Sequence, residues 1–264
     1  MSSRQIPLML LMCFLDDSFR EQHQDTLNRI EISRKDWMKA LRLAEENGLL
    51  WEFSNRVMND QDFPTKEVVK IEGEKIEQFN ENVKYLCRLF KDRCLDSLFI
   101  KMYRRMVYFP RDIDILIRES EVFHVLNMLC EEGYAIEYSP VEIKCSKKGM
   151  MNVDFYVQLR YLSTQFFDED FLWDKPREVS LMNTEYWIPN VNADFALSFL
   201  HVFLGHRYLS LLDFLYLSCI LDRDNTLDIE TILVQTEKYD WTLGFMVMMK
   251  ILKDIKDSFF SSPM

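Results

Sequence analysis

Apolar positions recur at helical spacing through the first ninety-odd residues. Ile6 to Leu15 (IPLMLLMCFL) is apolar on every side. It is too short to span a bilayer, has a weakly basic lead-in, and is followed by Asp16 and Asp17 instead of a small-residue cleavage site. It therefore reads as a buried first helix rather than a signal peptide. Arg34 to Asn47 places Trp37, Leu41 and Ala44 on one face, and Gly48 follows as a stop. A helix continues from Leu49 to Met58. Thr65 then opens a long one, to about Asp96, with an apolar stripe of Val69, Ile76, Phe79, Val83, Leu86, Leu89 and Phe90. Gly73 weakens that helix without forbidding it.

The period then changes from helix to strand. Ser97 to Tyr103 is β-branched and aromatic, and Asp112 to Ile117 (DIDILI) alternates acid with aliphatic; both predict strands. Glu119 to Glu132 is an amphipathic helix ended by Gly133, and Tyr134 to Tyr138 is extended. Val141 to Ser146 and Met151 to Leu159 flank a Lys147-Lys148-Gly149 turn, which predicts a hairpin. Thr184 to Ile188 adds an edge strand before Pro189-Asn190. Helical patterns return from Asn192 or Asp194 to His206, then over Leu209–Leu221, Asp228–Glu237 and Trp241–Ser258. The fold class this order predicts is α+β: a small mixed sheet over about 97–190, between an N-terminal helical region (1–96) and a C-terminal helical bundle (191–264).

Composition narrows the classes of partner. The net charge is −11, with 32 basic against 43 acidic residues. A broad hold on long nucleic acid needs many cationic contacts to phosphate, so that class is disfavoured. The six cysteines form no CxxC pair and the four histidines no HExxH pattern. That scatter predicts buried thiols in a reducing, cytoplasmic setting, without structural zinc. The Met-rich stretch at Met246, Met248 and Met249 and the aromatic run around Phe166, Phe167, Phe171, Leu172 and Trp173 read as packing faces.

Chemistry concentrates in the strands. Side chains two apart in a strand share a face, so Asp112 and Asp114 stand side by side. Two like charges at that spacing are costly without a cation, and Mg²⁺ prefers such oxygen ligands. Asp154, flanked by Val153 and Phe155, is a third acid in a strand; if the two strands adjoin, three carboxylates converge and can hold two metal ions. Lys101, Arg104, Arg105 and Arg111 add a run of basic residues ahead of the DxD strand. His201 and His206 lie five apart on a helix and so do not share a face as ligands would.

The stretch from Leu98 to Leu159 resembles the nucleotidyltransferase superfamily of the DNA polymerase β type, most of all its uncharacterised nucleotidyltransferase subgroup. The motifs that carry the resemblance are Ile100-Lys101-Met102, Phe109-Pro110, Arg111-Asp112-Ile113-Asp114, Gly133-Tyr134 and Val153-Asp154. The flanks at Trp37–Leu41 and His201–Leu221 are similar too. The resemblance implies Mg²⁺-dependent transfer of a nucleotidyl group from an NTP to an acceptor hydroxyl. Asp112 and Asp114 would bind Mg²⁺, Asp154 would share a metal and help deprotonate the acceptor, and Lys101, Arg104 and Arg111 would hold phosphate. It also makes His201, His206 and Asp213 candidates for the rim of the cleft. A small molecule or protein suits the acidic chain better than long nucleic acid as acceptor, and no membrane partner is expected. The chain departs from the family pattern in one respect: no glycine falls between 74 and 132, where the superfamily brings backbone close to the triphosphate. That departure keeps a second reading open, a fold that binds a nucleotide or a protein without turnover.

Overall fold

The computed structural model describes residues 6–15, 17–29, 32–57, 65–101, 110, 112–139, 142–157, 160–161, 164–181, 184–202 and 209–260. The chain is α+β, with eleven described α-helices and nine described strands. Five strands form a mixed sheet in the order β1 (Leu98–Phe99), β2 (Asp112–Leu116), β5 (Asn152–Tyr156), β4 (Ile143–Ser146), β3 (Ala135–Tyr138). Only the β2–β5 pair is parallel; the other pairs of this sheet are antiparallel. The β4–β5 hairpin falls where the alternation places it, its turn carrying Gly149 at φ 82°, a left-handed value that glycine adopts freely.

One sheet face rests on α5 (Thr65–Asp92) and α6 (Val122–Glu131). Ile113, Ile115, Val153, Phe155, Ile143 and Cys145 from the strands meet Phe79, Val83, Leu86, Phe90, Val125 and Leu129 from the helices in one core. The buried Asn82 of α5 secures this packing: its Oδ1 accepts the Met151 backbone N–H at 2.9 Å. Gly73 has a use that periodicity alone did not show. A Cβ there would come within 3.3 Å of the Trp51 ring on α4 (Leu50–Val57), so glycine lets α5 pass close to α4.

The second core is built by helices from both ends of the chain. Helix α1 (Ile6–Leu15) is fully buried from Met9 to Met12, as an all-round apolar helix has to be. It packs on α2 (Asp17–Arg29), α3 (Arg34–Glu46) and α4. Its core continues through Phe171 and Leu172 of α7 (Glu169–Trp173) into α8 (Val191–Leu200), α9 (Leu211–Arg223), α10 (Ile229–Lys238) and α11 (Thr242–Phe260). Each fully buried Leu, Met or Phe contributes about 1.5–3 kcal/mol. No described helix is long and apolar enough to cross a membrane.

Several boundaries differ from expectation for identifiable reasons. Helix α5 stops at Asp92, not Asp96, because Cys94 takes φ 53° and the N–H of Leu95 returns to the Phe90 carbonyl at 3.0 Å. The same closure ends α3 at Gly48 and α6 at Gly133, where the sequence does announce it. The strand expected over Ser97–Tyr103 is two residues long, since Lys101 turns out at φ 61°; 102–109 lie outside the described residues. Thr184–Ile188 (β9) is a strand but not an edge of the main sheet. It pairs antiparallel with β8 (Arg177–Leu181), a partner the sequence reading did not anticipate. Helix α8 starts at Val191 because Asn190 caps it, its side chain accepting from the Ala193 N–H at 3.0 Å.

Candidate active site

In-register parallel pairing sets Asp112 opposite Asn152 and Asp114 opposite Asp154. Partners across a ladder project to the same side, as do residues two apart in one strand, so all three acids share a face. It is the face away from α5 and α6. Further along the same strands, Leu116 and Tyr156 on that face enter the second core. One carboxylate oxygen from each of Asp112, Asp114 and Asp154 lies within 4.8 Å of the others. Asp112 is partly exposed, while Asp114 and Asp154 are 8% and 6% exposed.

Burial and mutual repulsion act in the same direction here. Burial pushes the Asp154 carboxyl up to about 7, and the charges of Glu142, Asp112 and Asp114 add to the rise. Burial also raises Asp114, against the pull of the Lys101 ammonium. Among the described residues no donor hydrogen-bonds the Asp154 carboxylate, although Lys144 lies across the ladder from it. A nearly buried carboxylate beside two others, with no donor among the described residues, fits the oxygen-donor set that a hard divalent cation takes.

Lys101 enters the same cluster. The Ile100 N–H donates to the Asp114 carbonyl at 3.0 Å, extending the β1–β2 pairing by one residue. The left-handed turn at Lys101 then carries its side chain to the acids. Its Nζ donates to Asp114 Oδ1 at 2.6 Å and to the Tyr156 hydroxyl at 3.2 Å, and lies 4.6 Å from the Tyr156 ring centre. The Tyr156 hydroxyl donates to Glu142 Oε2 at 2.9 Å, and Glu142 Oε1 pairs with Lys144 at 3.1 Å. Burial pushes the Tyr156 hydroxyl far up, so it stays a donor.

Of the residues singled out from sequence, the structure thus brings together Asp112, Asp114, Asp154 and Lys101. Arg104, Arg111 and His206 lie outside the described residues. Asp213 is buried at the start of α9, where the Ser210 hydroxyl donates to it at 2.5 Å, and His201 follows the end of α8, half-buried. Tyr156 and Glu142 were missed. Tyr156 carried a usable signal, since it stands two residues beyond Asp154 and must share its face. Glu142 carried none, because its place depends on the hairpin register.

Comparison with known proteins identifies a family. Residues 33–255 of the 264 match the family described as uncharacterised nucleotidyltransferase. No curated protein matches the sequence. Among solved structures, the lincomycin-bound lincosamide antibiotic adenylyltransferase LnuA is 16% identical, with 54% of this chain and 96% of that one covered and a TM-score of 0.39. The solution structure of the antibiotic-resistance factor ANT(2'')-Ia is 11% identical, with 69% and 99% covered and a TM-score of 0.44. With a match that covers well over half of its length, the carboxylate strands included, the chain belongs to the uncharacterised nucleotidyltransferase family.

Proposed function

We propose that the protein is a Mg²⁺-dependent enzyme that moves a nucleotidyl group from an NTP to an acceptor hydroxyl. The observation that carries this reading is the Asp154 carboxylate: nearly buried, within 4.8 Å of two more acids, and without a hydrogen-bond donor among the described residues. Asp112, Asp114 and Asp154 would hold the metal, one ion or two. When bound, Mg²⁺ neutralises charge that develops on the transferring phosphate.

The remaining chemistry belongs to the chain. Asp154 shares the metal and takes the proton from the acceptor hydroxyl. The acceptor oxygen bonds to the α-phosphorus as the bond to pyrophosphate breaks, and pyrophosphate leaves with the electron pair. Lys101 is engaged on Asp114, so the phosphate tail is proposed to rest on Arg104 and Arg111. A net charge of −11 supports a small molecule or a protein as acceptor over long nucleic acid. A cytoplasmic setting is part of the proposal, supported by the scatter of the six cysteines.

The test is titration calorimetry of each NTP with Mg²⁺ into wild type, Asp112→Asn and Asp154→Asn, with pyrophosphate release followed in parallel. Metal-dependent binding that both variants lose is the expected result. Absence of metal-dependent binding in the wild type would sink the proposal. The second reading, binding without turnover, has its own support in the lack of glycine from 74 to 132 and in the Lys101 contact on Asp114. Saturable nucleotide binding without pyrophosphate release, across a panel of hydroxyl acceptors, would select it.

A further inference from the structure

The three carboxyl groups of the cluster share it with one side-chain ammonium, that of Lys101. The ammonium is held in place, not merely nearby. The Lys101 and Asp114 side chains are 12% and 11% exposed, and their contact is 2.6 Å. Nζ has a second anchor in the Tyr156 hydroxyl and a third in the face of the Tyr156 ring. Tyr156 is itself fixed by Glu142, whose other oxygen is taken by Lys144. The backbone supports the arrangement at a cost: φ 61° at a lysine lies in the left-handed region, about 1–2 kcal/mol above the ordinary one. A strained backbone that delivers a buried cation to one particular carboxylate oxygen has a definite consequence for that oxygen. It is not available to a metal while Lys101 stays.

We infer that Lys101 is a resident counter-cation of the carboxylate site: it competes with a divalent ion for Asp114 and, through its Tyr156–Glu142 anchor, sets the affinity and the number of ions the site accepts. The inference rests on the proposed metal-binding role of the three acids. With Lys101 in place, Asp112 and Asp154, which accept no hydrogen bond among the described residues, offer oxygens to a first ion, and a second ion has to displace the ammonium. Lys101 is thus a positioning and specificity residue. Its removal adds one negative charge to the site and frees an oxygen donor, and both changes favour the metal.

The experiment uses Mg²⁺ alone as the probe, titrated into wild type, Lys101→Met, Tyr156→Phe and Asp154→Asn, with thermal unfolding measured with and without the ion. Lys101→Met is expected to bind Mg²⁺ about tenfold tighter or better, ~1.4 kcal/mol, to melt lower without it, and to gain more from it than wild type does. Tyr156→Phe keeps the ring and loses the hydroxyl anchor, so it should tighten binding by about two- to threefold. Should Lys101→Met fold only with Mg²⁺ present, that dependence supports the inference, and Tyr156→Phe provides the affinity comparison. Equal or weaker Mg²⁺ affinity in both variants overturns it. If wild type binds Mg²⁺, Asp154→Asn abolishes that binding and Lys101→Met leaves it unchanged, only this inference falls. If none of the four binds Mg²⁺, the metal-site reading falls with it.

Discussion

Two carboxylate clusters in this chain are built on opposite electrostatic terms. At the β2–β5 ladder, Asp112, Asp114 and Asp154 are crowded together, and burial pushes the Asp154 carboxyl up to about 7. At the start of α7, Asp168 is surrounded by donors. Its Oδ1 accepts from Lys238 at 2.6 Å and the Tyr239 hydroxyl at 2.7 Å, its Oδ2 from Gln235 at 3.2 Å, and those contacts hold its carboxyl below the usual range. The Asp168 backbone N–H also donates to Gln235, at 2.9 Å. One cluster joins α7 to α10 and works for the fold. The other works against the fold unless a cation arrives. A group arranged against stability is where function is to be sought, and a satisfied one is not.

The largest expected effect separates the two clusters outright. Asp112→Asn should weaken Mg²⁺-dependent nucleotide binding about a hundredfold, ~2.7 kcal/mol, with the melting temperature unchanged or slightly raised. Asp112 is the cleaner choice than Asp114, whose loss would also leave the buried Lys101 ammonium without its partner. Calorimetry together with a thermal melt checks both halves. A variant that melts several degrees lower, with its binding intact, would show that Asp112 belongs with Asp168 and would break the comparison.

Next comes pH, where the two clusters differ in sign. Asp154 keeps its proton in the folded protein up to about 7, whereas the unfolded chain releases it near 4. Below both values the group contributes nothing, and as pH rises from about 4 to 7 the fold loses stability on its account. Asp154→Asn should therefore equal wild type at pH 4 and exceed it above pH 7 by several kcal/mol, with about 4 as the upper bound. Saturating Mg²⁺ should close the gap. Asp168, with its depressed value, contributes stability above the unfolded value, and that contribution disappears as pH falls through the folded one. Denaturant unfolding at a series of pH values measures both, and a pH-independent gap for Asp154→Asn would refute the assignment.

Asp168→Asn supplies the stability arm. Hydrogen bonds to a charged group are worth about 1.5–3 kcal/mol when buried, but Asp168 is about a third exposed, so solvent screening reduces this to about 1 kcal/mol. The melting temperature should fall by roughly 2–4 °C, and nucleotide binding per folded molecule should not change. A binding defect measured alongside the melt would put the α7–α10 junction in the site after all.

The contrast also explains how far the sequence could be read. The three acids were legible because a strand has a period of two: DIDILI and NVDFYV each place an acid where the alternation makes it conspicuous. Parallel, in-register pairing then does the rest. The helices were legible from their stripes, and Gly48 and Gly133 marked two ends correctly. What escaped depended on residues that break their own type. Cys94 and Lys101 adopt glycine-like backbone angles, so neither the end of α5 nor the brevity of β1 could be inferred from residue preference. The donors around Asp168 come from 67 to 71 residues away, and no local pattern encodes that distance. Likewise Glu142 reaches the site only through hairpin register, and the Lys101 contact on Asp114 depends on the turn that follows β1.

Glu142 offers the finest test of the same contrast, with the smallest expected effect. Its charge is the second cause, after burial, of the raised Asp154 carboxyl. Its two oxygens are occupied by Tyr156 and Lys144. Glu142→Gln removes the charge and keeps an acceptor for the Tyr156 hydroxyl, so the Lys101 anchor is largely preserved. The Asp154 carboxyl should then titrate lower, and the pH range over which the fold loses stability should contract from its upper end, by about one unit. The shift would be read from the midpoint of the stability–pH curve, with Asp154→Asn as the background in which it has to vanish. A shift that persists in that background would mean that Glu142 acts through Tyr156 and Lys101. The crowding would then be a property of the whole chain from Asp114 to Lys144, not of the three aspartates alone.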